Sequence, residues 1–423
     1  MKLRSPWWVV LAAAAATIAL AAGARLADAL LCGLPPLTPL LWARARRRHD
    51  AVKVALQAAV LVVAAFLGAL ALGASLAAGM QAAMPWLSSL RFGCYLLAWL
   101  VALRLLQAAL VVVAAKWVRP AALRSVLVAI VTIAVGLPNL YVALQTHRIA
   151  VAAVPTISVQ VAVLREQARE VTFDTLDGVH LVGTLLTQPS AAASAEVPVV
   201  VVCHGLGANR AAFFAYAEMA WQLGCHALAF DFRAHGGSGG FTSTFGAEEV
   251  FDVAAAVGWV RSQPSFAQSP LVLVGVSMGA VTALRAAAIV GANGVLAESA
   301  FADLSAMVAH QVAPLGPFAD VAAWSIGLAA RWQLGVELDD VSPRRSLSEL
   351  ATQIPVVLLQ SGADAIIPRA ESERLAAVRQ QAIHTFAGSP HGGCSVFDPE
   401  RVMRLLEDLL AAVRAARHAI GNK

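Results

Sequence analysis

The sequence predicts two unlike halves. Residues 1–150 read as an α-helical domain of several membrane spans, and residues 171–423 as a mostly parallel sheet with helices on both faces. Three observations carry that prediction. The 423 residues are 59% hydrophobic and 13% charged, with a mean hydropathy of +0.70, whereas soluble domains carry about 25% charged residues. The charge is split: residues 1–150 hold 14 Lys and Arg against two acids, Asp28 and Asp50, while residues 151–423 hold 17 Lys and Arg against 24 acids. Long apolar runs fill the first half, and short ones alternate with helical patterns in the second.

The apolar runs cover roughly 7–31, 53–79, 92–115 and 125–145. Each is near or above the ~20 residues that a helix needs to cross a bilayer. They lack the polar faces that a soluble bundle would show between them. Lys2 and Arg4 before an Ala-rich core also suit a signal peptide, but more apolar runs follow. The loops RARRRH (44–49) and KWVRPAALR (116–124) are basic and are expected on the cytoplasmic side, with QAAMPWLSSLR between them outside. The chain beyond about residue 148 is then extracytoplasmic. An N-terminus inside would need residues 29–43 to cross as a fifth, short segment. Arg25 and Asp28, spaced i, i+3, are expected to pair. The abundance of Ala and the use of only four Lys suggest a GC-rich bacterial genome. The expectation is a multi-pass protein of the bacterial inner (cytoplasmic) membrane, with its second half on the periplasmic side. The basic excess belongs to membrane topology, and no basic-aromatic pattern points to nucleic acid.

The cysteines at 32, 94, 203, 225 and 394 form no CxxC and no Cys/His spacing suited to zinc, so free thiols and no metal are expected. After a linker at 151–170, VTFDTLDG and HLVGTLLTQ predict a hairpin around Asp177-Gly178. Strands follow at VVVVCHG (199–205), HALAFDF (226–232), LVLVGVS (271–277), GVLAES (294–299), PVVLLQSG (355–362) and HTFAG (384–388). Helices are expected near 211–223, 247–262, 278–290, 370–380 and 400–417. The stretch up to about 350 reads as irregular, with a cap around 301–345 that carries Met307, Phe318, Trp324 and Trp332. Those residues suit either a cap over an apolar substrate or plain core. Ligands of such sheets bind beyond the carboxyl ends of the strands.

Gly275-Val276-Ser277-Met278-Gly279 sits where an apolar strand gives way to a helix. In a turn that tight, larger side chains flanking Ser277 would strike the strand or the helix, and the serine oxygen is lifted above the sheet. The Met278 N–H, at the helix start, can face a developing oxyanion. A serine needs a base, and the base needs an acid; in this fold the chain order is expected to be Ser, acid, His. His391 follows the last strand on a Gly-rich loop and is the expected base. His384 falls inside that strand, His310 in the irregular region and His418 in the tail. Asp364, after the penultimate strand, is the expected acid, although an Asp there also caps turns. Glu298 is the competing acid, with packing or cap anchoring as its other reading. His204-Gly205-Leu206-Gly207 follows the third strand and offers the Leu206 N–H as the second oxyanion donor.

CHGLGANR, FDFRAHGGSGG, GVSMGAVTAL, GADAIIP and SPHGG together resemble the α/β-hydrolase superfamily over residues 171–417. The likeness is nearest to its serine-aminopeptidase and prolyl-oligopeptidase-like branch, which includes membrane-anchored bacterial esterases and lysophospholipase-like proteins. The resemblance implies Ser277 as nucleophile, Asp364 as acid, His391 as base, and Leu206 and Met278 as oxyanion donors, with no cofactor. It also makes Asp231, Arg233 and His235 scaffold residues. The chain departs from the pattern at Gln360-Ser361, often His-Gly, and at Ala280, usually Gly. The expected function is a membrane-anchored serine hydrolase (esterase, lipase or lysophospholipase-like) acting on small-molecule or lipid-like esters or thioesters of hydrophobic acyl groups. Its partner is the lipid bilayer. The rivals are a serine peptidase on short peptides and a non-catalytic membrane binding module on the same fold.

Overall fold

The computed structural model describes residues 168–189 and 197–421, together with helical positions at Leu123, Ile130, 136–139, Tyr141 and Val142. Apart from those positions, the predicted spans lie outside the described residues, as does most of the 151–170 linker.

Eight strands form one sheet: β1 Ala168–Asp174, β2 His180–Leu186, β3 Val199–Cys203, β4 His226–Phe230, β5 Leu271–Val276, β6 Gly294–Glu298, β7 Val356–Ser361 and β8 Ile383–Phe386. Their order is β1-β2-β4-β3-β5-β6-β7-β8. β1 and β2 make the predicted antiparallel hairpin, with Asp174 opposite His180 and Gly178 at φ 82° in the turn. From β3 to β8 the strands are parallel. β3, β4, β5 and β6 are buried along their whole length, as strands covered on both faces must be.

The alternation of side chains builds a core on each face. Val199, Val201, Leu271 and Leu273 point into the larger core, against helices α2 (Glu249–Ser262) and α3 (Met278–Ala286). Val200, Val202, Val272 and Val274 point the other way, against α1 (Phe214–Gln222) and the long C-terminal helix α9 (Pro399–Gly421). Val402, Leu406, Leu409, Leu410 and Val413 are the stripe that seats α9.

The stretch predicted as irregular is mostly helical. It comprises α4 (Leu304–Val312), a 3-10 segment (Ala313–Phe318), α5 (Ala319–Leu334) and α6 (Pro343–Glu349), before α7 (Arg369–Arg379) and α8 (Cys394–Phe397). The Pro and Gly residues that suggested irregularity mark its joints. Gly316 takes φ 56° beside Pro317, and Gly335 ends α5 at φ 68°. Cys203, Cys225 and Cys394 are buried free thiols.

Between β5 and α3, Ser277 adopts φ 55° and ψ −120°, a conformation that side chains other than glycine rarely tolerate. A Cβ on Gly275 would lie 2.3 Å from the Gly279 carbonyl oxygen. One on Gly279 would lie 2.1 Å from the Cys203 oxygen and 2.5 Å from the His204 oxygen. The flanking glycines are therefore a packing requirement. Gly279→Ala is expected to cost about 1–3 kcal/mol or more through overpacking. Gly258→Ala, on the exposed side of α2 with nothing within 4 Å, is expected to be neutral or stabilising. Thermal unfolding of both variants in the same detergent checks the contrast.

Candidate active site

Ser277 is half-buried at the carboxyl end of β5, and its N–H donates to the Glu298 carbonyl at 2.8 Å. Met278 is the first residue of α3, where a backbone N–H has no acceptor within the helix. Helix α3 thus presents a donor, and the positive end of its dipole, beside the serine.

The Asp364–His391 pair is formed. His391 Nδ1 donates to Asp364 Oδ2 at 2.7 Å, which leaves Nε2 as the basic nitrogen. The carboxylate does two jobs. Its Oδ1 accepts from the N–H groups of Ile366 (2.9 Å) and Ile367 (2.8 Å), so one carboxylate both caps its turn and pairs with His391. Burial alone would raise the Asp364 pKa. The hydrogen bonds from His391 and the two backbone N–H groups outweigh it and hold the carboxyl below the usual range. The acid and base loops are also tied together: Gly362 N–H donates to the Phe386 carbonyl and Ala363 N–H to the Ser389 carbonyl.

Two glycines bring the loops to the serine. A Cβ on Gly392, next to His391, would lie 3.0 Å from Val276 Cγ1, and one on Gly205 would lie 3.4 Å from Ser277 Cβ. The Phe213 ring lies against both positions. Nothing in the sequence pattern singles that ring out. Among the described residues the Ser277 hydroxyl makes no hydrogen bond to His391. Such bonds often tighten only when substrate is bound.

The loop carrying Leu206 is clamped on both sides by buried histidines. His204 donates from Nδ1 to the Gly205 carbonyl at 2.8 Å and accepts the Phe232 N–H at Nε2. His235 donates from Nδ1 to the Arg233 carbonyl and accepts the Gly207 N–H at Nε2, 2.9 Å away. Both are neutral, with fixed tautomers, as each is donor at one nitrogen and acceptor at the other. Arg233 pairs with Asp252 at 2.7 Å and with Asp177 and Glu248. Asp231 accepts from Arg210 and from the Gly237 N–H. These groups are scaffold, as the motif implied.

Glu298 is fully buried, and its oxygens are already taken. Tyr216 Oη donates to Oε2, while the Cys394 N–H (2.8 Å) and Ser361 Oγ (3.4 Å) donate to Oε1. It does not pair with His391; it anchors the segment that follows His391. The Tyr216 partner escapes sequence reading because the two residues are 82 positions apart. Gln360 donates to the Ser361 carbonyl and accepts from Ser372, so the departure at Gln360-Ser361 is absorbed by local hydrogen bonds. Burial pushes the Cys394 thiol up to about 12 and leaves it inert. Among the described residues no group of three His, Cys, Asp or Glu side chains is placed to hold a metal.

Burial, with His235 alongside, pushes the His204 pKa down to about 3 from an ordinary 6.5. Between those values only the unfolded chain takes up the proton. The stabilisation is therefore complete above pH 6.5 and is lost as the pH falls toward 3. His204→Gln is expected to lower stability at pH 7 and to flatten that pH slope by up to about 1.4 kcal/mol per unit. Thermal unfolding at a series of pH values measures it.

A family model described as "Alpha/beta hydrolase family" matches residues 200–405. The uncharacterized protein YqkD of Bacillus subtilis is 29% identical over 184 residues, covering 42% of this chain and 58% of its own length. YfhR of Salmonella typhi is 26% identical over 227 residues, covering 51% of this chain and 70% of its own. Among solved structures, the Pyrococcus furiosus esterase Pf2001 overlaps 58% of this chain and 92% of its own, at 23% identity and a TM-score of 0.44. The esterase domain of a Rhodothermus marinus protein overlaps 59% and 99%, at 20% identity and 0.43. Ser277 on its strand-to-helix turn, Asp364 and His391 all fall within the matched residues 200–405, and that stretch is similar to the α/β-hydrolase family.

Proposed function

We propose that the chain is a membrane-anchored serine hydrolase that cleaves carboxylic esters or thioesters of hydrophobic acyl groups, with its hydrolase domain on the extracytoplasmic side. The observation that carries the reading is the Asp364–His391 pair at 2.7 Å, on a loop packed against the strained turn of Ser277. The apolar runs of the first half and the apolar cap support a hydrophobic acyl group and a membrane anchor.

In this mechanism His391 Nε2 takes the Ser277 proton as Oγ attacks the acyl carbon. The oxyanion that forms accepts from the N–H groups of Leu206 and Met278, both preorganised by neighbours described above. Collapse breaks the bond to the leaving alcohol or thiol, which takes the proton from His391. Water, deprotonated by the same nitrogen, then attacks the acyl-Ser277 ester. The acid leaves and Ser277 regains its proton. Asp364 holds the imidazole in the required tautomer and stabilises its protonated form.

A membrane-impermeant fluorophosphonate probe on intact spheroplasts tests both parts. Labelling of the wild type and none of Ser277→Ala is the expected result. Labelling only after lysis would place the domain on the cytoplasmic side, and no labelling of folded protein in detergent would reject the enzyme. Asp364→Asn is expected to keep the fold and lower kcat by about three to four orders of magnitude.

A further inference from the structure

Helix α5 is inside out. Its inner face, against Val308 and Val312 of α4, is made of Ile326, Ala329 and Ala330. Its outer face carries Val321, Trp324, Leu328 and Trp332, and the preceding 3-10 segment adds Leu315 and Phe318, all exposed. Trp324 is 66% and Trp332 73% accessible. The spacing of three or four residues from Phe318 to Trp332 puts these side chains on one face. A water-facing helix turns its small residues outward and its tryptophans inward; this one does the reverse.

The same helix receives the end of the last apolar run. Gln333 Nε2 donates to the Asn139 carbonyl at 3.0 Å and to its side-chain oxygen at 2.8 Å. Tyr141 Oη donates to Gln311, and Val142 is buried in the cluster with Ile326, Ala329 and Ala330. Asn139, Tyr141 and Val142 belong to the last part of the run 125–145, which reads as the last crossing. The inner face of α5 is thus fastened to chain that would be leaving a bilayer, and its outer face is bare.

We infer that the exposed stripe of Leu315, Phe318, Val321, Trp324, Leu328 and Trp332 lies in the interfacial layer of the bilayer and seats the cap on the membrane. The stretch Leu304–Leu334 is apolar enough to pass for a span by composition and length. It is not straight, because Gly316 breaks it at φ 56°. The 16 residues of α5 make a rod of about 24 Å, short of the ~30 Å hydrocarbon core. An amphipathic helix of that length lies in the interface plane, where tryptophan is favoured. Between Asp320 and Arg331 the helix has no charge, so apolar insertion rather than attraction to anionic headgroups holds it. A hydrolase domain seated this way would meet substrates that stay in the membrane. The inference rests on the membrane-anchored part of the proposed function and is independent of its chemistry.

The test uses the full Ser277→Ala chain, reconstituted in phosphatidylcholine vesicles whose acyl chains carry bromine near the headgroup end. The emission from Trp324 and Trp332 is obtained by subtracting a Trp324→Phe/Trp332→Phe variant. That emission is expected to fall by more than about half in brominated lipid relative to plain lipid. Leu328→Glu, at the centre of the stripe, is expected to release the quenching. Equal emission in the two lipids would overturn the docked cap while leaving the anchor standing. So would crosslinking of the stripe to a second copy without quenching. A chain that fails to float with the vesicles would overturn both the anchor and the docked cap. Failure of the fluorophosphonate labelling would reject the enzyme and leave this surface untouched.

Discussion

The close approach of helix α3 to the end of β3 sets the rest of the site. Gly279 lies so near the Cys203 and His204 carbonyls that no side chain fits, and Gly275 is packed as tightly against Gly279. That contact forces Ser277 into its strained conformation, at a cost of roughly 1–3 kcal/mol. Burial on both faces of the sheet offsets it. The strain buys position: the serine stands at the strand end while the N-terminus of α3 turns a free N–H toward the same space.

Around the turn, buried polar groups are satisfied in ways that leave them one arrangement. Glu298 holds the elbow through its carbonyl, and its carboxylate holds Tyr216, Ser361 and the N–H of Cys394. His204 and His235 grip Gly205 and Gly207, so Leu206 is fixed from both sides. Asp364 uses one oxygen on its own turn and the other on His391. An unsatisfied partner in any of these networks would carry a full desolvation penalty, which is why such networks rigidify what they hold.

Much of this was legible in the sequence. Ser277, Asp364 and His391 stand out because each follows an apolar strand, in the order Ser, acid, His expected of this fold, and the sheet brings strand ends together. The hairpin at Asp177-Gly178 and all six later strands were readable from apolar runs ended by turn residues. The helices of the cap escape that reading because polarity is reversed at ordinary helical spacing: α5 shows alanine to the protein and tryptophan outward, and Gly and Pro sit at the joints. Phe213 and Tyr216 gave no signal, since their roles come from contacts across the fold. The four apolar runs of the first half are read from their length, their lack of polar faces and the charge of their loops.

The proposed chemistry passes through an acyl group carried on Ser277. Rapid mixing of the full chain with a slowly deacylating medium-chain nitrophenyl ester, acid quench and mass spectrometry of the peptides tests it most directly. A burst of nitrophenol and one acyl group on the peptide containing Ser277 are expected, both absent in Ser277→Ala. Turnover without a burst or adduct, or an adduct on another residue, would contradict it.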